Sequence, residues 1–314
     1  MTNQIWDADN WKNQFQSASK TRDYTLLHDL RKAVFSDTLQ WVTQSSYTST
    51  NGNTVRFGND AALQAGSILY SDEIKQRTWP QAKQPLVVEV IEGDTLQVAK
   101  LLVDQGENPA ILNMANRQNP GGGVISGAGA QEEYLFRCSN YFRSLYQFAR
   151  YATNYGLTHS MMQYPLDRNH GGVYSPGVTI FRGSEQSGYP LLDTPWKAAF
   201  IGVPAISNPD LTQDQEGKQW LSDSMAEGTK YKIRTIFRIA LLHHHQSLVL
   251  GAFGCGAFNN PPHHMAQLFH QVLKEPEFAP CFEHIVFAIL ENHNSFKATN
   301  PEGNLKPFRD EFPC

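Results

Sequence analysis

The sequence feature that most constrains the fold is a glycine-rich segment, residues 116–133, in this chain of 314 residues. The apolar run 110–115 precedes it and is typical of a buried strand, and a stretch of helical periodicity begins at Tyr134. Its three successive glycines, at positions 121–123, let the backbone approach another group closely because no Cβ blocks the way. The segment therefore predicts a strand, a glycine loop and a helix, in that order.

Strand and helix patterns alternate along most of the chain. Apolar and β-branched runs predict strands at 86–91, 110–115, 178–181, 198–206, 248–253 and 285–290. Apolar residues at helical spacing predict helices at 23–44, 96–103, 134–148 and 231–246, and one after 261. The polar stretch 207–230 is predicted to be a surface connection. The alternation favours an α/β fold, a three-layer α/β/α arrangement around a mixed, largely parallel sheet.

The same patterns divide the chain into three parts. Residues 1–85 are predicted to be an N-terminal helical accessory region packed on the core. Residues 86–295 contain the alternating strands and helices and form the main α/β domain. Residues 296–314 are a C-terminal tail, which we expect to be mostly irregular.

Composition and charge exclude several classes of protein. Apolar residues make up 40% of the chain, but no run reaches the roughly 18 residues that a membrane span needs. The N-terminus has no basic cluster followed by an apolar core, so no signal peptide is expected. The four cysteines form no zinc-type pair, and the net charge of -4 comes without a basic stripe. We therefore expect a cytoplasmic protein in a reducing compartment, with no membrane or direct DNA partner.

A second glycine loop follows the predicted strand 248–253 and contains Gly254, Cys255, Gly256, Ala257 and Phe258. Neither loop has the third glycine of GxGxxG, and GxxxxGK[ST] is absent, which disfavours a nucleotide site of either common type. Both loops lie between a strand and a helix, so their N–H groups are suited to gripping a diphosphate from two sides. The alternative is that both are only tight turns. Phe258 in such a loop is expected to stack on a base or a ribose.

Two neighbouring carboxylates, Glu132 and Glu133, stand at the start of the helix after the first loop. Adjacent helical residues point about 100° apart, so both side chains can reach one site but not one atom. One can protonate a leaving group while the other holds sugar hydroxyls, as in glycosidic cleavage. The helix N-terminus favours the ionised acid, whereas burial and the second carboxylate favour the protonated one. We expect the latter effects to prevail for one glutamate; the alternative is that both are only favourable dipole partners.

The other reactive side chains give weaker evidence for a functional site. His243, His244 and His245 are consecutive, so on a helix they cannot all face one ion, and no metal site is predicted. Cys255 has no histidine and asparagine arranged near it in sequence, which disfavours a nucleophilic thiol. No cofactor is expected.

Taken together, these residues resemble the bacterial (microbial-type) poly(ADP-ribose) glycohydrolases, a branch of the macrodomain fold. The family signature is a GGG loop followed after six to eight residues by QEE; here Gly121–Gly123 and Gln131–Glu133 are seven residues apart. The lead-in 112–120, the segment 250–262 and the turn 90–96 are similar to the family's strand and loop, diphosphate loop and adenine-side turn. The resemblance makes residues 86–295 a macrodomain-like catalytic domain.

The resemblance implies a role for each matching residue. Glu133 would be the general acid, Glu132 its partner on the distal ribose, and Asn116 a further ligand of that ribose. Asp94 would meet the adenine amino group, Phe258 would stack near the adenine, and the two loops would hold the diphosphate. The implied substrate-binding residues are Asp94, Thr95, Asn116, Gly121, Gly122, Gly123, Val124, Gln131, Gly254, Cys255, Gly256, Ala257 and Phe258.

The implied reaction is metal-independent hydrolysis of the ribose–ribose O-glycosidic bond of poly(ADP-ribose), with ADP-ribose as product. The implied partners are poly(ADP-ribose) or ADP-ribosylated proteins, so the enzyme would reverse ADP-ribosylation. Two alternatives stay open: removal of a single ADP-ribose from a protein side chain, and a non-catalytic ADP-ribose-binding macrodomain. The intact pair Glu132 and Glu133 argues against the latter, because a pure reader needs no acid.

Overall fold

A computed structural model describes residues 6–57, 61–291, 295–297 and 300–313 and gives a mixed α/β fold. The helices are α1 (Ala8–Thr21), α2 (Tyr24–Gln44), α3 (Ala61–Gly66), α4 (Thr95–Asp104), α5 (Gln131–Cys138), α6 (Phe142–Leu145), α7 (Asp223–Leu242), α8 (Pro262–Leu273) and α9 (Leu305–Glu311). The strands are β1 (Ser46–Thr48), β2 (Thr54–Arg56), β3 (Ile68–Tyr70), β4 (Val87–Glu92), β5 (Pro109–Met114), β6 (Gly172–Arg182), β7 (Leu191–Val203), β8 (Leu211–Gln213), β9 (Gln219–Leu221), β10 (Ser247–Leu250) and β11 (His284–Ile289). Within these ranges no helix is both long enough and apolar enough to span a bilayer.

The main sheet has seven strands in the order β3-β6-β7-β5-β10-β11-β4. Strands β5, β10, β11 and β4 pair in parallel, with Leu248 opposite both Ala110 and Ile285. Strands β5, β10 and β11 are almost continuously apolar and buried, as parallel strands covered on both faces are. The predicted α/β class with a mixed sheet is confirmed.

The chain separates into two compact units. The first unit contains residues 1–68, 118–165 and 175–199, and the second contains residues 69–117, 166–174 and 200–314. The units are interleaved along the chain, whereas the predicted parts 1–85, 86–295 and 296–314 follow one another. The first glycine loop and the acid pair lie in the first unit, and the second glycine loop lies in the second.

Helix α2 is the structural support of the first unit's glycine loop. Asp23 caps it by accepting a hydrogen bond from the N–H of Leu26 at 3.0 Å, and its apolar face, including Val34 and Trp41, is buried. Its Thr38 hydroxyl donates to the carbonyl of Arg137 at 2.7 Å, which ties α2 to the end of α5. The helix predicted at 23–44 is therefore confirmed, and it packs on the loop that carries the candidate site.

The single helix predicted over 134–148 is wrong. Helix α5 ends at Cys138, and Ser139 is extended, with φ -150° and ψ 176°. The Ser139 hydroxyl bonds the Leu135 carbonyl at 2.7 Å, while Asn140 exchanges two hydrogen bonds with Thr179. These polar side chains offer the backbone partners outside the helix, so the chain breaks there despite its helical spacing.

Two stretches that looked irregular in the sequence contain regular structure. The predicted connection 207–230 holds the β8–β9 hairpin and the first turns of α7. Asp214 organises the hairpin turn, because its carboxylate accepts from the N–H groups of Glu216 and Lys218. The tail also contains a helix, α9, whose Phe308 is fully buried.

Candidate functional site

The two predicted acids lie in the first turn of α5 and are buried. Glu132 is 3% exposed and Glu133 is 6% exposed. Each side chain turns back to the glycine loop: the N–H of Gly121 donates to Glu132 Oε1 at 3.2 Å, and the N–H of Gly123 donates to Glu133 Oε1 at 2.8 Å. The loop and the acid pair therefore form one hydrogen-bonded assembly, as the spacing of the two motifs in the sequence allows.

This assembly leaves no room for side chains on the loop. Gly121 and Gly122 both have positive φ, 76° and 54°, which other residues rarely adopt. A Cβ on Gly122 would overlap Glu133 Oε1 and would lie 3.1 Å from Glu132 Oε2, and one on Gly121 would lie 2.6 Å from the ring of Phe136. The glycines thus allow the backbone to approach the two carboxylates.

The N–H groups of Gly121–Val124 in the first loop all have acceptors within the first unit. Besides the two bonds to the glutamates, the N–H of Gly122 donates to the Asn119 carbonyl at 3.0 Å, and that of Val124 donates to the Gly121 carbonyl at 3.1 Å. The diphosphate contact predicted for Gly121–Val124 stays a prediction. A ligand that approaches this loop meets glycine Cα atoms rather than unpaired N–H donors.

The two oxygens of Glu133 have different surroundings. Oε1 accepts the hydrogen bond from Gly123, so this oxygen presents a lone pair to the backbone. Oε2 is buried and has no hydrogen-bond partner among the residues that the structure describes. When the carboxyl group is protonated, its proton therefore belongs on Oε2, which is free to donate it.

A partly buried ionic network, which sequence reasoning missed, holds the segment between the loop and the acids. Arg137, on α5, donates to the Ala128 carbonyl and to the Tyr189 hydroxyl, both at 2.8 Å. Tyr189 in turn donates to Glu185 at 2.8 Å, and Arg31 on α2 makes a two-bond pair with Glu185 at 2.9 and 2.8 Å. We call these four residues the positioning network. Its polar members are far apart in sequence, so no local pattern reveals it.

Electrostatic effects tie this network to the acid pair. Burial lowers the pKa of Arg31, but the hydrogen bond and charge of Glu185 outweigh it and raise that pKa above its usual value. Tyr189 and Glu133 contribute to the same rise, so the Glu133 carboxylate lies within electrostatic reach of the Arg31 guanidinium. Arg31 also packs against Gly129, where a Cβ would overlap the guanidinium. Helix α2 therefore contributes a charged side chain near the candidate acid pair and is not only a packing layer.

A tyrosine cluster adjoins Glu132 and was also missed, since its members look like ordinary core residues in the sequence. Tyr146 makes ring contacts with Tyr151 and Tyr155, at centroid distances of 5.3 and 4.6 Å. Burial raises the pKa of Tyr151 to about 12, with Tyr155 and Glu132 adding to the rise. Burial also raises the pKa of Tyr164, again with Glu132 contributing. These rings stay neutral at physiological pH and place a mostly apolar wall near Glu132.

The second glycine loop is braced by one asparagine within the second unit. Asn260 donates from Nδ2 to the carbonyls of Ile206 at 2.7 Å and Gly254 at 3.1 Å. Gly254 has a φ of 74°, and a Cβ there would lie 2.5 Å from Asn260 Nδ2 and 2.7 Å from Ala205 Cβ. The tight fold of this loop therefore depends on Gly254.

The backbone donors of the second loop differ from those of the first. The N–H of Cys255 bonds the Ala252 carbonyl at 3.0 Å, whereas those of Gly256, Ala257 and Phe258 meet no acceptor in the described ranges. A Cβ on Gly256 would touch nothing within 4 Å, so the loop is open at that point. Burial raises the pKa of the Cys255 thiol, which agrees with the expectation that it is not a nucleophile.

Of the remaining predicted site residues, Asp94, Thr95 and Asn116 follow the ends of two strands, and Gln131 lies at the start of a helix. Asp94 follows β4 and caps α4, its Oδ1 accepting from the N–H groups of Leu96 at 3.0 Å and Gln97 at 3.1 Å. Thr95 is buried in the first turn of α4, and Asn116 is half-buried two residues after β5. Gln131 is the first residue of α5. Their contacts with adenine and ribose stay predictions.

Two of the three consecutive histidines, His243 and His245, have structural partners in the second unit, and both contact Tyr174. The ring of His243 stacks on Tyr174 at 3.5 Å and bonds the Tyr70 hydroxyl at 2.8 Å. His245 bonds the Asn108 carbonyl and the Tyr174 hydroxyl, both at 2.9 Å. Burial lowers the pKa of His243 to about 4, so its ring is neutral at physiological pH.

Several known proteins are similar to this chain. The family model described as microbial-type PARG, catalytic domain, matches residues 36–183. The poly(ADP-ribose) glycohydrolase of Thermomonospora curvata is similar in structure, with 29% identity and a TM-score of 0.71 over 90% of this chain and 99% of that chain. The same enzyme bound to the inhibitor ADP-HPD matches with 28% identity and a TM-score of 0.68, over the same shares of the two chains. No curated protein sequence matches the chain.

A second relative settles the family. The poly(ADP-ribose) glycohydrolase of Deinococcus radiodurans, solved in complex with ADP-ribose, is 30% identical, with a TM-score of 0.61. The similarity covers 82% of this chain and 98% of that chain. Together with the GGG and QEE motifs on one hydrogen-bonded assembly, these matches show that the chain belongs to the bacterial, microbial-type poly(ADP-ribose) glycohydrolase family.

Proposed function

We propose that this protein is a poly(ADP-ribose) glycohydrolase, which hydrolyses the ribose–ribose O-glycosidic bond of the polymer and releases ADP-ribose. The observation that carries the proposal is the buried pair Glu132 and Glu133, fixed on the glycine loop by two backbone hydrogen bonds. The relatives compared above are named poly(ADP-ribose) glycohydrolases, and one structure holds ADP-ribose and another the inhibitor ADP-HPD.

Glu133 is the general acid and base of the proposed reaction. Its Oε2, which has no partner among the described residues, gives a proton to the glycosidic oxygen as the anomeric C–O bond breaks. The ribose then has oxocarbenium character, and water attacks the anomeric carbon while the Glu133 carboxylate takes up a proton. One water is consumed, and the acid returns to its starting form. Since a carboxylic acid supplies the proton, chelation with EDTA should leave the rate unchanged.

Glu132 and Asn116 are the proposed ligands of the distal ribose. A carboxylate accepts hydrogen bonds from two sugar hydroxyls, and an amide both donates and accepts. Glu132 is held by Gly121 through Oε1, which fixes the side chain for this task. The neutral tyrosine wall beside it supports binding of the apolar face of a sugar ring.

The second loop is the proposed binding site of the diphosphate. Its N–H groups at Gly256, Ala257 and Phe258 have no acceptors in the described part of the chain, so they are available to phosphate oxygens. Phe258 is half-buried and is proposed to stack near the adenine, with Asp94 and Thr95 on the adenine side. A contact of Gly121–Val124 with the diphosphate is kept in the proposal, through close approach of the glycine backbone.

The test is release of ADP-ribose from purified poly(ADP-ribose), followed by chromatography. We expect wild-type protein to release ADP-ribose and Glu133→Gln to be slower by about 10²- to 10⁴-fold, the usual contribution of general acid catalysis. Glu283→Gln is the matched control: its carboxylate contacts the N–H of Lys83 and lies in the second unit. Equal release by Glu133→Gln and wild type would remove Glu133 from the mechanism.

The substrate range is tested in parallel with a protein that carries a single ADP-ribose. Turnover of that substrate without turnover of the polymer would favour removal of mono-ADP-ribose. Tight binding of ADP-ribose with turnover of neither substrate would favour a non-catalytic reader. An intracellular location is part of the proposal, supported by the buried free thiols of Cys255 and Cys281, as expected in a reducing compartment.

A further inference from the structure

The second glycine loop has a cationic partner from the C-terminal tail, and no sequence motif points to it. Lys297 Nζ donates to the carbonyl of Gly256 at 2.5 Å, to Asn259 Oδ1 at 2.7 Å and to the carbonyl of Cys255 at 3.2 Å. All three acceptors belong to one turn of the loop. One ammonium group therefore donates to two successive backbone carbonyls, and these bonds fix the orientation of the two peptide groups.

Peptide geometry determines where the matching N–H groups point. In a trans peptide the carbonyl of one residue and the N–H of the next lie in one plane and point in opposite directions. The Cys255 and Gly256 carbonyls face Lys297, so the N–H groups of Gly256 and Ala257 face away from it. These are two of the three N–H groups that meet no acceptor in the described ranges.

The lysine has a defined base. Its backbone pairs with Asn300 in both directions, at 3.2 Å from Lys297 N–H to the Asn300 carbonyl and 2.9 Å for the return bond. The Asn300 side chain also donates to the Ser295 carbonyl at 2.9 Å. The side chain of Lys297 thus starts from an anchored turn and is about half-buried against the loop.

We propose that Lys297 is a positioning residue for phosphate binding, which aims the N–H groups of Gly256 and Ala257 at the ligand and places a positive charge behind them. The inference rests on the proposed function and deepens it by assigning a residue that orients the N–H donors of the second loop for diphosphate binding. Lysine suits this task because its three donors match the three acceptors of the turn. Its charge also favours a nearby anion without touching it.

The experiment compares ligand affinity across matched variants by calorimetry. Lys297→Met keeps the apolar stem and removes the charge and the donors, and Lys297→Arg keeps the charge. Lys306→Met is the control, since Lys306 lies in the same tail and pairs with exposed Glu302 and Asp310. We expect Lys297→Met to weaken ADP-ribose binding by about 10- to 100-fold, the range expected when charged hydrogen bonds are lost. Lys297→Arg should recover part of the affinity, and Lys306→Met should match wild type.

A second ligand shows whether a loss of affinity comes from misdirected N–H groups or from general damage to the loop. Adenosine lacks phosphates, so its weak binding, followed by ligand-observed NMR, should be unchanged in Lys297→Met. An equal loss of adenosine and ADP-ribose affinity, or no loss of either, would overturn the inference. The kcat on saturating poly(ADP-ribose) should fall much less than the affinity, because the acid pair is untouched. Failure of wild-type protein to bind ADP-ribose would instead reject the proposed function itself.

A measurement on wild-type protein keeps the inference falsifiable if Lys297→Met does not fold. In ¹⁵N-edited spectra, titration with inorganic pyrophosphate should shift the amide signals of Gly256 and Ala257 more than that of Cys255, whose N–H is already bonded. Shifts confined to other amides would contradict the proposed direction of these two donors.

Discussion

The two glycine loops look alike in sequence and differ in what their backbone donors do. In the first loop the N–H groups of Gly121 and Gly123 bind the carboxylates of Glu132 and Glu133. In the second loop three successive N–H groups, from Gly256 to Phe258, have no acceptor among the described residues. Both loops use positive-φ glycines to bring the backbone close to another group. The role of a glycine loop therefore depends on the direction of its backbone N–H donors, which cannot be read from the glycine spacing alone.

The supports behind the loops differ accordingly. The first is fixed by the positioning network of Arg31, Glu185, Tyr189 and Arg137, which holds the segment next to the acids. The second is fixed by Lys297, which holds carbonyls so that donors face outward. We therefore expect damage to the first loop to change the rate of the chemical step, and damage to the second to change affinity.

The largest effect is expected from Gly122→Ala in the first loop. The added Cβ would overlap Glu133 Oε1, and a positive φ costs a non-glycine residue about 1–2 kcal/mol. Displacement of the acid should lower kcat by about 10²-fold or more, with a much smaller change in the Kd of ADP-ribose. Gly52→Ala is the control, because Gly52 has φ 85° with nothing within 4 Å of its Cβ. An unchanged kcat in Gly122→Ala would contradict the role of the first loop in placing the acid.

The next effect is expected from Gly254→Ala in the second loop. Its Cβ would lie 2.5 Å from Asn260 Nδ2, so the brace of the loop must move. We expect the Kd of ADP-ribose to rise by about 10- to 100-fold through loss of aimed hydrogen bonds, with a smaller change in kcat at saturation. Gly256→Ala, which meets nothing within 4 Å, should bind nearly as well as wild type. If Gly254→Ala lowered kcat and left the Kd of ADP-ribose unchanged, the second loop would act in the chemical step, contrary to the role in binding proposed for it.

A smaller effect is expected from Arg31→Met in the positioning network. Loss of the bidentate pair with Glu185 leaves that carboxylate with Tyr189 and Arg137 and lets the segment near Gly129 shift. We expect kcat to fall by roughly tenfold, as for small misplacements of catalytic groups, while ADP-ribose affinity is kept. Lys32→Met tests the same helix at an exposed pair with Asp29 and should leave both parameters unchanged.

The smallest effect is expected at His284, the first residue of β11, and it concerns stability alone. Burial lowers the pKa of His284, but hydrogen bonds and charge from Glu107 and Glu89 outweigh it and raise that pKa above its usual value. A raised folded-state pKa stabilises the protein below the unfolded pKa of about 6.5 and loses this effect as pH rises through the folded pKa. His284→Gln should therefore lower the free energy of unfolding by about 0.5–1 kcal/mol at pH 5.5 and by less at pH 9, measured by urea unfolding. A larger loss at pH 9 would contradict this assignment.

How much the sequence predicted depended on how local the determining interactions are. The strands 86–91 and 248–253 were evident from their own apolar runs, and the helix 23–44 from its own apolar periodicity. The break after Cys138 was missed because it depends on Asn140 bonding Thr179, a partner 39 positions away. The acids and both loops were found from local spacing. Arg31, Glu185 and Lys297 were missed because their partners lie 154 and 41 residues away.

The most direct test of the two-loop account is a crystal structure of the Glu133→Gln variant with ADP-ribose. We expect diphosphate oxygens within about 3 Å of the Gly256 and Ala257 nitrogens. We also expect the N–H groups of Gly121 and Gly123 still to donate to the side chains at 132 and 133. A diphosphate held by the N–H groups of Gly121 and Gly123, with those two side chains displaced from the loop, would contradict this arrangement.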